Sequence, residues 1–154
     1  MNEAIGQTTV LVDDREGDNE VVRALEAYGA GLHTARLPVG DYCLDEELLV
    51  ERKTMADFGV SIIDGRLFNQ AGRLVCSSYA SALVIEGTAQ EAADLKVSRE
   101  AVQGALITVS LVFGLPVLRS NSAEETAWLM LTAARQLQAC RRGVLKRPGY
   151  KPRS

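Results

Sequence analysis

The sequence predicts an α/β domain with a mixed central sheet flanked by helices, and three observations carry that expectation. A β-branched and aliphatic run at 8–13 reads as a buried strand ending in acid. The segments 41–44 and 48–53 read as hairpin arms around the acidic turn 45–47. From there to residue 140, helical patterns alternate with short apolar strands. One helix, a strand meander and then alternating helices and strands require both strand orientations in one sheet.

The individual elements follow from local chemistry. Asn19 can cap a helix over 20–28, with Val21, Val22, Leu25 and Tyr28 on one face and Gly29 ending it. Residues 31–37 read as a second strand before Pro38. A helical region starts at Thr54, is interrupted near Asp64-Gly65 and resumes to about residue 81. Residues 82–86 (Ala-Leu-Val-Ile-Glu) form a continuous apolar strand. Ser98 opens a helix to about 112, stopped by Gly114 and Pro116, and 115–119 is a short strand. Ser122 and Glu125 make the capping-box pattern of a last amphipathic helix to about 140.

The 154 residues suffice for one core without metal or disulfide staples. The expected division is a disordered N-terminus over 1–7, a folded domain over 8–140 and a basic flexible tail over 141–154. No apolar run approaches the roughly 20 residues of a membrane span, and Met1 to Thr9 lacks signal-peptide character, so the expected location is intracellular, cytoplasmic, and nucleoid-associated in a prokaryote. Cys43, Cys76 and Cys140 are odd in number and widely spaced, which suits reduced thiols. The formal charge of −3 hides an asymmetry. Six of the 17 basic residues lie between Arg141 and Ser154, with no acidic residue among them, so the body is strongly acidic. An acidic body is a poor general phosphate-coating surface but suits a protein that gathers cations at carboxylates.

The chemistry centres on the hairpin. Side chains alternate along a strand, so Glu51 and Lys53 share a face and Arg52 points the other way. If the hairpin folds about Glu46, residues whose numbers sum to 92 are opposed, and Asp41 faces Glu51 with Cβ atoms ~5 Å apart. Opposed carboxylates repel unless a cation or proton sits between them. A hard divalent ion such as Mg²⁺ resolves the conflict, and Lys53 can orient a nucleophile or neutralise charge building on phosphate. Asp13, ending the first strand, can add a third carboxylate. His33 is the only histidine, so His-based zinc or triad chemistry is excluded. An acid-x-Lys triplet alone is common on solvated strands, and the flanking residues decide its meaning.

Those flanks resemble a known family. Val12-Asp13-Asp14-Arg15-Glu16, then Val39-Gly40-Asp41-Tyr42, then Val50-Glu51-Arg52-Lys53 with Asp57, and Ser61-Ile62-Ile63-Asp64-Gly65-Arg66-Leu67 with Gln70 resemble the XPF/Mus/Hef structure-specific endonuclease domain. The likeness continues more weakly through Leu83-Val84-Ile85-Glu86-Gly87 and 122–126, covering about 8–140. It implies a restriction-endonuclease-like fold, Mg²⁺- or Mn²⁺-dependent cutting of branched, flap or fork DNA in repair or recombination, and a homodimer through the nuclease domain. By motif position it makes Asp13, Asp41 and Glu51 metal ligands, Asp41, Glu51, Lys53 and Arg52 catalytic, and Asp57 a supporting carboxylate. Arg15, Glu16, Arg66 and Gln70 take support or DNA-contact roles. The sequence contains no helix-hairpin-helix module or helicase of the kind that accompanies this nuclease, so a separate partner for DNA binding is expected. Two alternatives stand beside the enzyme: a non-catalytic DNA-binding scaffold subunit, and a mobile-element nuclease with little preference for DNA structure.

Overall fold

The structure, a computed structural model, describes residues 7–143. The N-terminal segment and basic tail expected from the sequence lie almost wholly outside these residues. The elements are β1 (Thr9–Asp13), α1 (Glu20–Ala27), β2 (Gly31–Ala35), β3 (Tyr42–Leu44), β4 (Leu48–Thr54), α2 (Met55–Asp64), α3 (Arg66–Val75), β5 (Ala80–Glu86), α4 (Ala89–Ala93), α5 (Arg99–Ile107), β6 (Val117–Ser120) and α6 (Ala123–Arg141). Six strands form one sheet in the order β2-β1-β3-β4-β5-β6. β1 runs parallel to β2, β3 is antiparallel to both β1 and β4, and β4, β5 and β6 run parallel. The sheet is mixed, as expected, and among the described residues no helix is long and apolar enough to cross a membrane.

Strand parity divides the core into two layers. Tyr42, Leu44, Leu48 and Val50 face α1 and α6, where they pack with Val21, Leu25, Ala127 and Met130. Cys43, Leu49, Leu83 and Ile85 face the other way, against Phe58, Leu67, Leu74 and Val109. Fully burying each such side chain contributes roughly 1.5–3 kcal/mol before chain entropy is set against it. Glu51 and Lys53 share parity with Leu49, so the fold commits them to the α2/α3 layer. Arg52 shares parity with Leu48 and Val50 and is committed to the α6 layer.

The hairpin has the expected register: Tyr42 opposes Val50, Cys43 opposes Leu49 and Leu44 opposes Leu48. Its tight turn puts Asp45 and Glu46 at φ 52° and 54°, a left-handed conformation costly for side chains other than glycine. Asp45 offsets that cost by accepting bonds from Thr9 N–H (2.9 Å) and Gln138 Nε2 (3.2 Å), which tie the turn to β1 and α6.

Several boundaries differ from the sequence reading. α3 ends at Val75 and β5 begins at Ala80, two residues before the expected strand, because Ala80 N–H already bonds Glu47 O at 3.1 Å. The helix expected to run to 112 changes to a π-type turn over Thr108–Val112, with Phe113 N–H bonding Thr108 O. α4 was not anticipated, although Thr88 and Glu91 form a complete capping box with the same spacing as Ser122 and Glu125. At α6 the motif is split: Ser122 caps Glu125 N–H, but the Glu125 carboxylate accepts from Asn121 N–H. α6 also runs one residue past the expected end, and Arg141, assigned above to the tail, is helical and paired with Glu47 at 2.5 Å.

Candidate active site

A polar cleft of about 280 Å³ opens where β1, the 37–41 loop, β4 and α3 meet. It is lined by Asp13, Arg15, Glu16, Asp41, Glu51, Gln70 and Arg73, with Pro38, Val39 and Gly40. Gly40 makes this arrangement possible. Its φ of +83° bends the loop into β3, and a Cβ at this position would lie against Leu74 and the Val50 carbonyl. Asp41 then enters the sheet with its N–H on Val50 O (2.8 Å), and its Oδ2 accepts from Arg52 N–H at 2.8 Å. Backbone and carboxylate of Asp41 are thus both tied to β4.

Asp41 and Glu51, both half-buried, line the cleft side by side, as the hairpin parity requires. Burial raises the Asp41 carboxyl above its ordinary range. Burial first, and then the Asp41 charge, push Glu51 up to about 8. Glu16, from the loop before α1, is pushed up to about 7 by burial and then by Asp41. Lys53 is 6% exposed and does not line the cleft, yet its charge favours the ionised forms of both Asp41 and Glu51. Three raised carboxyls beside a buried lysine form a site short of positive charge.

The donors present fit a hard cation. Asp41 and Glu51 offer carboxylate oxygens, and Gln70 turns a buried Oε1 that has no hydrogen-bond partner. Oxygen ligands of this type suit Mg²⁺ or Mn²⁺. Asp13, the expected third ligand, lines the same cleft with its oxygens already accepting hydrogen bonds. Its two oxygens accept from Arg15 Nε (2.7 Å) and Nη2 (3.1 Å), from Leu37 N–H (2.9 Å) and from Arg15 N–H (3.3 Å). The Arg15 hydrogen bond holds Asp13 below its usual range despite burial. Asp13 therefore ties the 37–41 loop to β1. Among the described residues no three Cys, His, Asp or Glu side chains converge at ligating distance.

Other expected site residues fall elsewhere. Arg52, read as catalytic, sends its side chain through the opposite face of the sheet, where Nε and Nη2 bond both oxygens of Glu86 at 2.9 and 2.6 Å. Its backbone N–H, by contrast, bonds the Asp41 carboxylate. Asp57 is exposed in the first turn of α2, a favourable position at the positive end of the helix dipole. Arg66 is exposed at the α2–α3 joint and pairs with Asp64 at 2.9 Å. Neither lines the cleft. Tyr42 is fully buried, and Phe68 is half-buried against the α2/α3 core, so both are packing residues. Arg73 was missed. It lies three residues beyond Gln70, nearly one helical turn, and that spacing is the only signal that could have put it in the cleft.

Comparisons with known proteins agree with this geometry. The ERCC4 domain family matches over residues 12–132. XPF from Aeropyrum pernix, solved in complex with DNA, superposes with a TM-score of 0.78 at 30% identity, covering 86% of this chain and 66% of that one. A protein of Methanocaldococcus jannaschii named as an ATP-dependent RNA helicase is 36% identical over 129 residues, 84% of this chain and 16% of its own length. The 3′-flap repair endonuclease Xpf of Saccharolobus solfataricus is 27% identical over 129 residues, again 84% of this chain and 55% of that protein. The chain thus spans about half or less of these curated relatives. With the restriction-endonuclease-like sheet, it belongs to the ERCC4 domain family and is an XPF-type nuclease domain.

Proposed function

We propose that this chain is the cutting domain of a Mg²⁺- or Mn²⁺-dependent endonuclease that hydrolyses phosphodiester bonds in branched or flap DNA during repair or recombination. The observation that carries the reading is the half-buried Asp41–Glu51 pair side by side in the cleft near buried Lys53, with Gln70 and its unpartnered oxygen lining the same cleft. Asp41, Glu51 and Gln70 would hold the ion, which when bound lowers the pKa of water and offsets charge on the scissile phosphate. Lys53 supplies positive charge from the protein side, and Arg52 holds Asp41 in position through its backbone. The relatives' names, a 3′-flap repair endonuclease and a DNA-bound XPF among them, support DNA as the substrate.

The test is cleavage of labelled 3′-flap, fork and linear duplex DNA with Mg²⁺, Mn²⁺ or chelator. Asp41→Asn is expected to lower metal-dependent cutting by at least ~10²-fold, the scale of losing one group that stabilises developing charge. Equal cutting by the variant would remove the reading. Comparable cutting of all three substrates would favour an enzyme with little structure preference, and folded wild-type protein that cuts none would favour a scaffold subunit.

A homodimer through this domain belongs to the same proposal. Ile107, Leu111 and Val112, at the end of α5 and its π-type turn, are 53%, 79% and 71% exposed, an apolar cluster that suits burial against a second copy. Sedimentation is expected to give the mass of two chains, and Leu111→Glu to give one. A monomeric wild type at high concentration would remove this part. A helicase or DNA-binding partner, suggested by the helicase-named relative, would supply affinity that the acidic body lacks.

A further inference from the structure

Two guanidiniums stand at the mouth of the acidic cleft, and the fold accounts for only one. Arg15 gives Nε and Nη2 to Asp13, and its Nη2 also reaches Leu37 O at 2.9 Å. Arg73, on α3, donates Nη2 to Pro38 O at 2.7 Å. It is exposed, and among the described residues it has no carboxylate at ion-pair distance. A guanidinium has five N–H donors, and this bond uses one group of Arg73. Arginines from the β1–α1 loop and from α3 thus hang on neighbouring carbonyls of the same turn, the turn that leads through Gly40 into Asp41.

Folding stability does not call for this. Pinning a long exposed side chain costs rotamer entropy, and anchoring two like charges to adjacent carbonyls adds repulsion. An anion between them reverses both effects, and a planar guanidinium with free donors matches phosphate oxygens. The cleft floor supplies the need. Carboxylates repel a DNA strand, so a strand crossing Asp41 and Glu51 requires cations at the rim to hold its neighbouring phosphates.

We propose that Arg73 and Arg15, pinned on the carbonyls of Pro38 and Leu37, form a phosphate clamp that grips the DNA backbone beside the cleavage point. The inference rests on the nuclease reading for the identity of the strand, but the clamp is measured by binding, independently of cutting.

The experiment is fluorescence anisotropy of labelled 3′-flap DNA with the full chain in chelator, so that nothing is cut, over a NaCl series. Arg73→Ala is expected to weaken binding roughly tenfold, the scale of a charge-assisted contact, and to flatten the slope of log K against log [NaCl] by about 0.9, one phosphate contact. Arg73→Lys restores the slope but not the full affinity. Arg23→Ala, the same charge change on an exposed position of α1 outside the cleft, changes neither. Unchanged melting temperatures keep the comparison among folded proteins. A slope for Arg73→Ala equal to wild type, equal losses in Arg23→Ala, or no binding by wild type would overturn the clamp. A slope difference in a chain that never cuts would defeat the nuclease reading and leave the clamp standing; cutting with an unchanged slope would defeat the clamp alone.

Discussion

Glu51→Gln is expected to make the metal-free chain more stable above neutral pH while it removes cleavage. The Glu51 carboxyl ordinarily titrates near 4.5 and is pushed up to about 8 by burial and the neighbouring Asp41 charge. The folded state therefore holds this proton more tightly than the unfolded chain does. Below about 4.5 both states are protonated and the group carries no penalty. As pH rises from there through 8, the unfolded chain ionises freely while the folded chain resists, and stability is lost progressively. Glutamine keeps the shape and cannot ionise, so the variant escapes the loss. The gain is expected to be negligible near pH 4 and on the order of 3 kcal/mol by pH 9. Urea unfolding at the two pH values in chelator measures it. Added Mg²⁺ or Mn²⁺ is expected to stabilise wild type and narrow the difference, since a ligand that binds only the native state stabilises it. A variant less stable than wild type at pH 9 would show that the Asp41–Glu51 pair is a structural element and not a site awaiting a cation.

The second large effect is structural and lies on the other face of the sheet. Arg52 and Glu86 form a two-pronged pair, 20% and 12% exposed at the side chain, and Glu86 also accepts from Thr126 Oγ1 at 2.6 Å. Thr126 is fully buried and its Oγ1 also lies 2.8 Å from Ser120 Oγ, so β4, β5, β6 and α6 meet in one polar network. Burial works to raise the Glu86 carboxyl, but the hydrogen bonds from Arg52 and Thr126 outweigh it and hold the group below its ordinary value. Arg52→Ala leaves that carboxylate stranded and is expected to cost about 3 kcal/mol at pH 7. Because the folded pKa is depressed, the contribution is present above the unfolded value of 4.5 and fades as pH falls through the folded one. Arg52→Met with Glu86→Gln removes both charges together and is expected to recover much of the loss. If Arg52→Ala melts like wild type and yet fails to cut, the side chain acts at the site directly and the positioning role is wrong.

The two halves of the triplet differ in how far sequence could take them. Period-two alternation separated Glu51 and Lys53 from Arg52 without coordinates, and the turn at 45–47 set the register that opposes Asp41 to Glu51. Asn19 and Ser98 were readable because their side chains cap helices within three residues. Thr88 and Glu91 carried the same local signal, and α4 went unread because five residues leave no apolar periodicity to support a cap. Glu86 was legible only as the end of an apolar strand. Its partner Arg52 lies 34 residues away in sequence, and no local pattern joins them.

The sequence by itself determined the mixed sheet, the hairpin register and the opposed carboxylates, because each rests on side-chain alternation and turn chemistry acting over a few residues. Tertiary structure alone decided that Asp13 is spent on Arg15 and Leu37, that Arg52 anchors β4 instead of facing the cleft, and that Arg73 reaches its rim. Those outcomes depend on which groups satisfy one another's hydrogen bonds once distant segments are packed, and that competition has no counterpart in the unfolded chain.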